Sequence, residues 1–552
     1  INPNYLNAYI ELSSTLNSLG KKSEALKILR SAIILDPHFA NAHCNLGIIL
    51  KELGKINQAL SSFNKAIEFN PRFSYSYYQL GSIYKYLGNL QAAKECLLNS
   101  INLNPKDSEY YIELGTICLE LRETTEAERH TRKAIELNPS SAISYNNLGS
   151  ILIEVGNLLE AEIALRRAIT IDPKLAVAHY NLGVVFKHSG DLESAQLHNI
   201  KSIQLDPNLC RAYFALSSFV SQSPNTKVSH LRPFQEYVLS EDILEGKDEL
   251  DRVYIYFARS NILHKQGNYD LSAENLDIAN TIHLKLNPSN SSEIIQKSKY
   301  LYNYSKQLDL ASSCDSSFTD SIFIVGMPRS GSTLLESILT MNPGVDDLGE
   351  LNIFEASFLE WKKNMKSGRD VMLNDLYLKR ISNINAKKNI ITTNKCLYNY
   401  QYSAVIASQL PNSRIIHCYR NILDNILSIY RAFFSCGNTF SSSLIDCAEV
   451  YLDHSKIMSE YKTRFSSRIY DLNYDSLVNN PKEEVRNLIA WLGWEWNDLY
   501  LSPHLNNREV LTASSIQVRS PINSSSVGGW RNYQKMLEPA IDLLETYQFN
   551  FD

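Results

Sequence analysis

Ser321-Ile-Phe-Ile-Val-Gly-Met-Pro-Arg-Ser-Gly-Ser-Thr333 is the stretch that decides the fold of the C-terminal half. Its first five residues are a short apolar run rich in β-branching, which predicts a buried strand. A glycine-rich loop follows, and Leu334–Leu339 reads as the helix behind it. Strand, loop and helix in that order aim backbone N–H groups and a helix N-terminus at one spot, where an anion is favoured. The spacing Gly326-x4-Gly331 followed by Ser332-Thr333 is that of a nucleotide phosphate loop. A nucleoside triphosphatase would carry lysine where this chain has Ser332. Without that lysine a triphosphate loses its β/γ-phosphate contact, so a kinase is disfavoured. The loop fits a ligand with one 5′-phosphate bearing another group, and Arg329 is placed to supply the missing charge.

Further stretches lie downstream. Leu348-Gly-Glu350 comes soon after the loop, and Thr393-Asn-Lys395 follows apolar Ile390-Ile391, read as a strand end. Arg414-Ile-Ile-His-Cys-Tyr-Arg420 reads as a strand ending in arginine, with Ser428 eight residues on. Tyr474-Asp-Ser-Leu-Val-Asn-Asn-Pro481, Ser515-Ile-Gln-Val-Arg-Ser-Pro521 and Gly528-Gly-Trp-Arg531 come later in the same order. With these residues, about 318–550 of the chain resembles the sulfotransferases that use 3′-phosphoadenosine 5′-phosphosulfate (PAPS). Within them it is similar to the branch that includes the tyrosylprotein sulfotransferases.

The resemblance implies a three-layer, P-loop-like α/β domain with a mostly parallel sheet, and a role for each stretch. Pro328, Arg329, Ser330, Gly331, Ser332 and Thr333 would hold the 5′-phosphosulfate. Arg420 and Ser428 would hold the 3′-phosphate. Tyr474 and Arg531 would complete the cofactor site, Arg531 from a covering C-terminal loop. Glu350 would be the general base that takes the acceptor's hydroxyl proton. Lys395, Arg329 and Ser515 would stabilise the transferring group, with Ser514 as the neighbouring alternative to Ser515. PAPS is then the co-substrate, and no metal is required. An ordinary surface or helix-capping role for Glu350, and a solvated one for Lys395, stay open beside this.

One departure matters. Animal tyrosylprotein sulfotransferases are disulfide-bonded and carry cysteine two residues before the base, where this chain has Leu348. Neither their secretory setting nor tyrosine as acceptor is therefore implied. His417 lies inside the Arg414–Arg420 stretch and reads as core or cofactor-adjacent rather than as a base. Trp491, Trp494 and Trp496 read as packing rather than an acceptor cage.

Upstream, proline recurs every 34 residues, at Pro37, Pro71, Pro105, Pro139, Pro173 and Pro207. Each interval carries an aromatic or apolar residue, Leu-Gly, alanines and the proline, as in His43, Leu46, Gly47, Ala59, Ala66 and Pro71. This period is that of the tetratricopeptide repeat (TPR), a stack of helix pairs. About six repeats span residues 6–209. Gly54, Gly88, Gly156 and Gly190 mark the turn within the pairs; Arg122 breaks the series, so the fourth repeat is expected to have a distorted turn. Asn45, Gln79, Asn147 and Asn181 share one repeat position, with Glu11 and Glu113 filling the gaps. Amides at that spacing can pair with the backbone of an extended peptide. The pattern resembles the asparagine ladder in the repeats of nucleocytoplasmic O-GlcNAc transferases; a solvated polar groove without a ligand is the alternative.

The expected domains are a TPR solenoid over 1–216, a helical connector with a degenerate repeat over 217–317, and a sulfotransferase domain over 318–552. Ser223-Pro224-Asn225 reads as a break, and Ser312-Ser313 with Ser316-Ser317 as a linker. The 552 residues are 44% hydrophobic, ample for packed cores, and the net charge of −5 favours neither nucleic acid nor an anionic membrane. No apolar run approaches the ~20 residues of a spanning helix. Nine scattered cysteines without a CxxC pair suit a reducing, cytoplasmic setting and argue against structural zinc. Because it begins at Ile1, inside a repeat, the chain reads as a fragment, and a signal or anchor outside it stays open. The function expected is sulfuryl transfer to a hydroxyl, with a protein or peptide tyrosine presented by the repeats as one acceptor. A carbohydrate or other small hydroxyl is the enzymatic alternative. A repeat scaffold with a silent nucleotide-binding domain is the other class, and the presence together of Arg329, Glu350, Lys395, Arg420 and Ser428 argues against it.

Overall fold

A computed structural model describes residues 5–222, 231–308, 321–384, 391–434, 437–506, 508–512 and 514–549. The break at Ser223–Asn225, the serine linker at 312–317 and Ile390 lie outside the described residues. The chain forms two compact units, Ile1–Val185 with Gln204–Asp206, and Phe186–Ile203 with Pro207–Asp552.

The first unit is a run of helix pairs: Leu6–Ser18 with Lys22–Leu35, Ala40–Glu52 with Ile56–Phe69, Ser74–Tyr86 with Leu90–Leu103, Ser108–Glu120 with Thr124–Leu137, and Ala142–Glu154 with Leu158–Ile171. The small residue of each Leu-Gly is there for close approach. A Cβ on Gly149 would meet Leu165 Cγ at 2.5 Å. The fourth turn is not distorted. Arg122 adopts φ 64°, in the left-handed region where Gly88 has φ 76°. Its N–H bonds Leu119 O at 3.0 Å and that of Glu123 bonds Cys118 O at 2.8 Å, repeating the bonds made by Gly88 and Asn89. Hydrogen bonding by the flanking backbone outweighs the steric cost of a Cβ at this position, about 1–2 kcal/mol.

The shared polar position reaches across to adjacent repeats. Gln79 accepts a hydrogen bond from Lys51 Nζ at 3.3 Å, Asn147 Nδ2 donates to Thr116 Oγ1 at 3.4 Å, and Asn181 Nδ2 donates to Asn146 Oδ1 at 2.9 Å. Glu113, at the same position, pairs with Lys85 at 3.0 Å. Asn45 is half-buried.

The second unit is built on a sheet of five strands, β1 (Ser321–Gly326), β2 (Val345–Asp347), β3 (Ile391–Asn394), β4 (Ser413–Tyr419) and β5 (Ile469–Asn473), in the order β2-β3-β1-β4-β5. Every pairing among them is parallel. β1 is buried along its whole length, as a central parallel strand covered on both faces must be. Ile322 and Ile324 pack with Leu335, Ile338, Val485 and Leu488 on one side. Phe323 and Val325 pack with Phe354, Phe358 and Tyr377 on the other. The stretch read as a degenerate repeat forms the helices Glu249–Lys265 and Tyr269–Leu286, joined through Gly267-Asn268. Val253, Phe257, Leu276 and Ala279 of this pair share a core with Leu423, Ile426 and Trp530. The helix pair thereby supports the helix Ile422–Tyr430 that carries Ser428.

Candidate active site

The strand order fixes where a ligand can sit. The connection after β1 runs toward β2 and the connection after β4 runs toward β5, in opposite directions, so a crevice opens between the carboxyl ends of these two neighbouring strands. Every stretch singled out above up to Tyr474 follows the carboxyl end of a strand. Pro328–Thr333 follows β1, Glu350 follows β2, Lys395 follows β3, Arg420 follows β4 and Tyr474 follows β5.

The loop after β1 is shaped by its neighbours. Gly326 has φ 146°, and a Cβ there would lie 2.2 Å from Cys418 O; Gly331 has φ 93°, and the Tyr474 ring occupies the Cβ position, with Cδ2 at 2.2 Å. Arg329 itself has φ 65°, a strained conformation of the kind that collects at functional sites. Asn425 Nδ2 donates to Pro328 O at 2.9 Å and holds the turn. Ser330, Ser332 and Thr333 are buried at the start of the helix Ser332–Leu339.

Arg329 is surrounded by neutral acceptors. Its Nε donates to Ser428 Oγ at 3.2 Å, Nη1 to Ser514 Oγ at 2.5 Å and Nη2 to Gln517 Oε1 at 3.0 Å. Burial, and then the neighbouring Arg420, push its pKa down to about 10, which leaves it charged at neutral pH. Of the adjacent serines, Ser514 presents its hydroxyl to Arg329. Ser515, the residue first expected there, is buried with its N–H on Thr512 O at 3.1 Å. The same segment approaches the loop helix through Thr512 Oγ1, 3.2 Å from Thr333 Oγ1.

Arg420 is buried and holds the C-terminal segment. Its Nη2 donates to Ser526 O at 2.8 Å and lies 3.6 Å from Asp424 Oδ2. Asp424 in turn accepts from the N–H groups of Gly528 at 2.6 Å and Trp530 at 2.9 Å. Tyr474 lies under Arg420 at 4.9 Å, with its hydroxyl 3.0 Å from Ser526 Oγ. Arg531 is exposed and lies against Trp530 at 4.8 Å, so the structure places it on the covering segment without joining it to the arginines.

Glu350 and Lys395 meet. Leu348 N–H bonds Thr393 O at 2.8 Å and Lys395 N–H bonds Gly349 O at 2.9 Å, which extends the β2–β3 pairing and sets the two residues side by side. Lys395 Nζ lies 2.7 Å from Glu350 Oε1; the lysine side chain is 1% exposed and the glutamate 55%. His417 is buried, with Nδ1 2.7 Å from Asp471 and Nε2 3.1 Å from His454, and burial depresses its pKa. Trp491, Trp494 and Trp496 pack on the core beside β1 and β4.

Several residues of this site escaped the sequence reading. Asn425, Asp424, Arg431, Glu336 and Arg508 have no motif of their own, and Gln517 was passed over within the quoted stretch Ser515–Pro521. Arg420, Asp424 and Ser428 stand at steps of four, a helix-face spacing that was available. Arg431 adds a third positive charge near Arg329. Arg508 reaches Glu336 from 172 residues away, a pairing no local pattern announces.

A sulfotransferase family model matches residues 321–498, and tetratricopeptide repeat models match 40–73, 74–107, 108–141 and 130–163. The chain carries tetratricopeptide repeats and a C-terminal sulfotransferase-family domain. An uncharacterized protein of Aquifex aeolicus is 29% identical over 324 residues, 55% of this chain and 40% of that protein. Protein-tyrosine sulfotransferase 2 of Gallus gallus is 22% identical over 45% of this chain and 70% of its own length. The protein-tyrosine sulfotransferase of Drosophila melanogaster is 23% identical over 44% and 52%. The chain thus spans well under two thirds of the Aquifex and Drosophila proteins. Among solved structures, the TPR protein YrrB is 24% identical over 34% of this chain and 96% of its own, with a TM-score of 0.30. No described helix is long and apolar enough to cross a membrane.

Proposed function

We propose that the C-terminal domain moves a sulfuryl group from PAPS to a hydroxyl acceptor. One observation carries this. At the carboxyl end of one sheet, a phosphate-type loop without the triphosphate lysine meets a second cationic site made by Arg420 and the helix bearing Ser428. The polar groups left over there suit an anionic ligand: among the described residues the buried Ser330 Oγ and Arg420 Nε have no hydrogen-bond partner, a costly arrangement inside a protein. Arg420 and Arg431 both stand within electrostatic reach of Arg329, and of the three, in the described contacts, Arg420 alone has a carboxylate near it, at 3.6 Å.

In this reading the loop Pro328–Thr333 holds the 5′-phosphosulfate, and Arg420 with Ser428 holds the 3′-phosphate. Tyr474 and Arg531 complete the cofactor site. Glu350, exposed at the mouth, takes the acceptor's proton as the acceptor oxygen bonds to sulfur. The bond from sulfur to the bridging phosphate oxygen breaks, and adenosine 3′,5′-bisphosphate leaves with the electron pair. Lys395 and Arg329, with Ser514 or Ser515, stabilise the charge that gathers on the group in transfer. PAPS supplies the activated sulfuryl; the chain supplies position, charge and one proton acceptor. Incubation with labelled PAPS and a cell extract tests the reading: a labelled acceptor is expected, and no label transfer to any species overturns it.

For the acceptor, we infer a protein or peptide hydroxyl, with tyrosine as the candidate, docked by the repeats along Asn45, Gln79, Asn147 and Asn181. Support comes from repeats that carry polar side chains at one position, and from protein-tyrosine sulfotransferases among the relatives. Asn147→Ala with Asn181→Ala is expected to raise KM for a protein acceptor and leave turnover of a minimal hydroxyl acceptor intact. Equal behaviour of both acceptors would remove the repeats from acceptor binding.

A further inference from the structure

Behind Lys395 stands a carboxylate that the reaction as described does not use. Glu336, on the helix Ser332–Leu339, is 1% exposed. Burying an ionised carboxylate is costly unless it is paired and hydrogen-bonded. Here Arg508 Nη1 donates to Glu336 Oε2 at 3.0 Å, Thr393 Oγ1 donates to Oε1 at 3.4 Å, and Lys395 Nζ lies 3.8 Å from Oε2. Arg508 also pairs with Asp347, and Lys395 with Glu350. The charges therefore alternate along one row: Asp347, Arg508, Glu336, Lys395, Glu350.

The two ends of the row differ from its middle. Asp347 and Glu350 are 34% and 55% exposed, while Arg508, Glu336 and Lys395 are at 10% or less. Exposed ion pairs are screened and exchange easily; a charge left alone in the interior is strongly unfavourable. When Glu350 takes the acceptor's proton it becomes neutral, and its attraction for Lys395 vanishes. Lys395 then depends on a second carboxylate. The thiols of Cys396 and Cys418, which also lie near it, are held neutral by burial and cannot serve.

We propose that Glu336 is a positioning residue, the fixed counter-ion that keeps Lys395 charged and inward while Glu350 gains and loses its proton. This rests on the sulfuryl-transfer reading for its role in turnover, but its structural core can be tested apart from it. Glu336→Gln keeps size and the acceptor for Thr393, and removes only the charge. kcat is expected to fall about 10²-fold, as a small displacement of a reacting-centre group does. The dissociation constant for adenosine 3′,5′-bisphosphate should change less than about threefold, because Arg420 and Ser428 are untouched. Glu336→Asp should recover part of kcat. Independently of any acceptor, labelling of Lys395 by an amine-reactive reagent, read by mass spectrometry, should rise several-fold in Glu336→Gln as the lysine follows Glu350 outward. If Glu336→Gln does not fold because Arg508 loses its partner, the pair Glu336→Gln with Arg508→Gln removes one charge of each sign and keeps Lys395 as the reporter. Unchanged labelling of Lys395, or kcat and bisphosphate affinity falling together, overturns the proposal. A parent enzyme inert toward every acceptor would sink the transfer reading instead, and the labelling result would still decide what Glu336 does to Lys395.

Discussion

In the repeat unit, side chains that meet lie about one repeat apart; in the α/β unit they come from opposite ends of the domain. Lys51 and Gln79 are separated by 28 positions and Asn146 and Asn181 by 35. Arg329 finds Ser514 across 185 positions, and Thr333 finds Thr512 across 179. A repeat needs each unit to match only its neighbours, so periodicity carries both fold and packing. The catalytic-type site is assembled by topology, at the one edge of a parallel sheet where the connections diverge. A change in the first unit should therefore act locally and weakly. In the second it should act on chemistry.

The largest effect expected is at Glu350. Glu350→Gln keeps the shape and removes the proton acceptor. Turnover should fall about 10²–10⁴-fold with bisphosphate binding nearly unchanged, by steady-state kinetics and calorimetry. Normal turnover would leave Glu350 a surface residue and place the base elsewhere.

Acid should separate the two units next. In the second unit His188 and His264 are pushed down to about 4 and about 3, chiefly by burial, and burial also depresses His283, His417 and His454. His130 is the counterpart in the repeat unit among the described histidines with a resolved shift. A histidine whose folded pKa is depressed favours folding fully above its unfolded value of about 6.5. It loses that contribution as pH falls through the folded value. Each tenfold change in proton affinity is worth about 1.4 kcal/mol, so five such groups weigh heavily against a typical stability of about 5–15 kcal/mol. All five tryptophans, at 361, 491, 494, 496 and 530, lie in the second unit. On titration below pH 6.5, tryptophan fluorescence should report unfolding at higher pH than the helical circular dichroism of the whole chain. Coincident transitions would mean the two units unfold as one.

The ligand should discriminate by a smaller margin. The 3′-phosphate is assigned to Arg420 and Ser428, and a charge-assisted contact is worth roughly 1.5–3 kcal/mol. Adenosine 3′,5′-bisphosphate should bind about one to two decades more tightly than 5′-AMP. Equal affinities in calorimetry would remove the 3′-phosphate assignment.

How much could be read beforehand follows the same division. The repeat period, the β1 strand, its loop and the helix pair turning at Gly267-Asn268 were legible because each is a local pattern. Glu336 was not. On sequence it is an acid in an amphipathic helix, and only the arrival of Arg508 and Lys395 gives it a task. Ser514 and Ser515 could not be told apart because a match to a family motif does not resolve a one-residue step in a loop; in the structure Ser514 Oγ is the hydroxyl that meets Arg329. At Arg122 the local pattern misled. A missing glycine suggested a distorted turn, but the turn's backbone bonds held and the arginine took the left-handed conformation.

That turn gives the smallest effect expected, and the one that tests locality most directly. Arg122 carries the steric cost of a side chain at φ 64°, about 1–2 kcal/mol. Its guanidinium pairs with Glu154 at 2.5 Å, but the side chains are 57% and 33% exposed, so the pair is worth at most about 1 kcal/mol. Glycine would relieve the strain and add some entropy to the unfolded chain, about 0.4–1 kcal/mol. The balance for Arg122→Gly is a gain of about 0.5 kcal/mol, read as a shift in the denaturant midpoint of the helical signal, with PAPS turnover unaltered. A loss of stability instead would mean that the link from Arg122 to Glu154 in the following repeat outweighs the backbone strain. The turn would then be held by its neighbour's charge rather than by its own backbone.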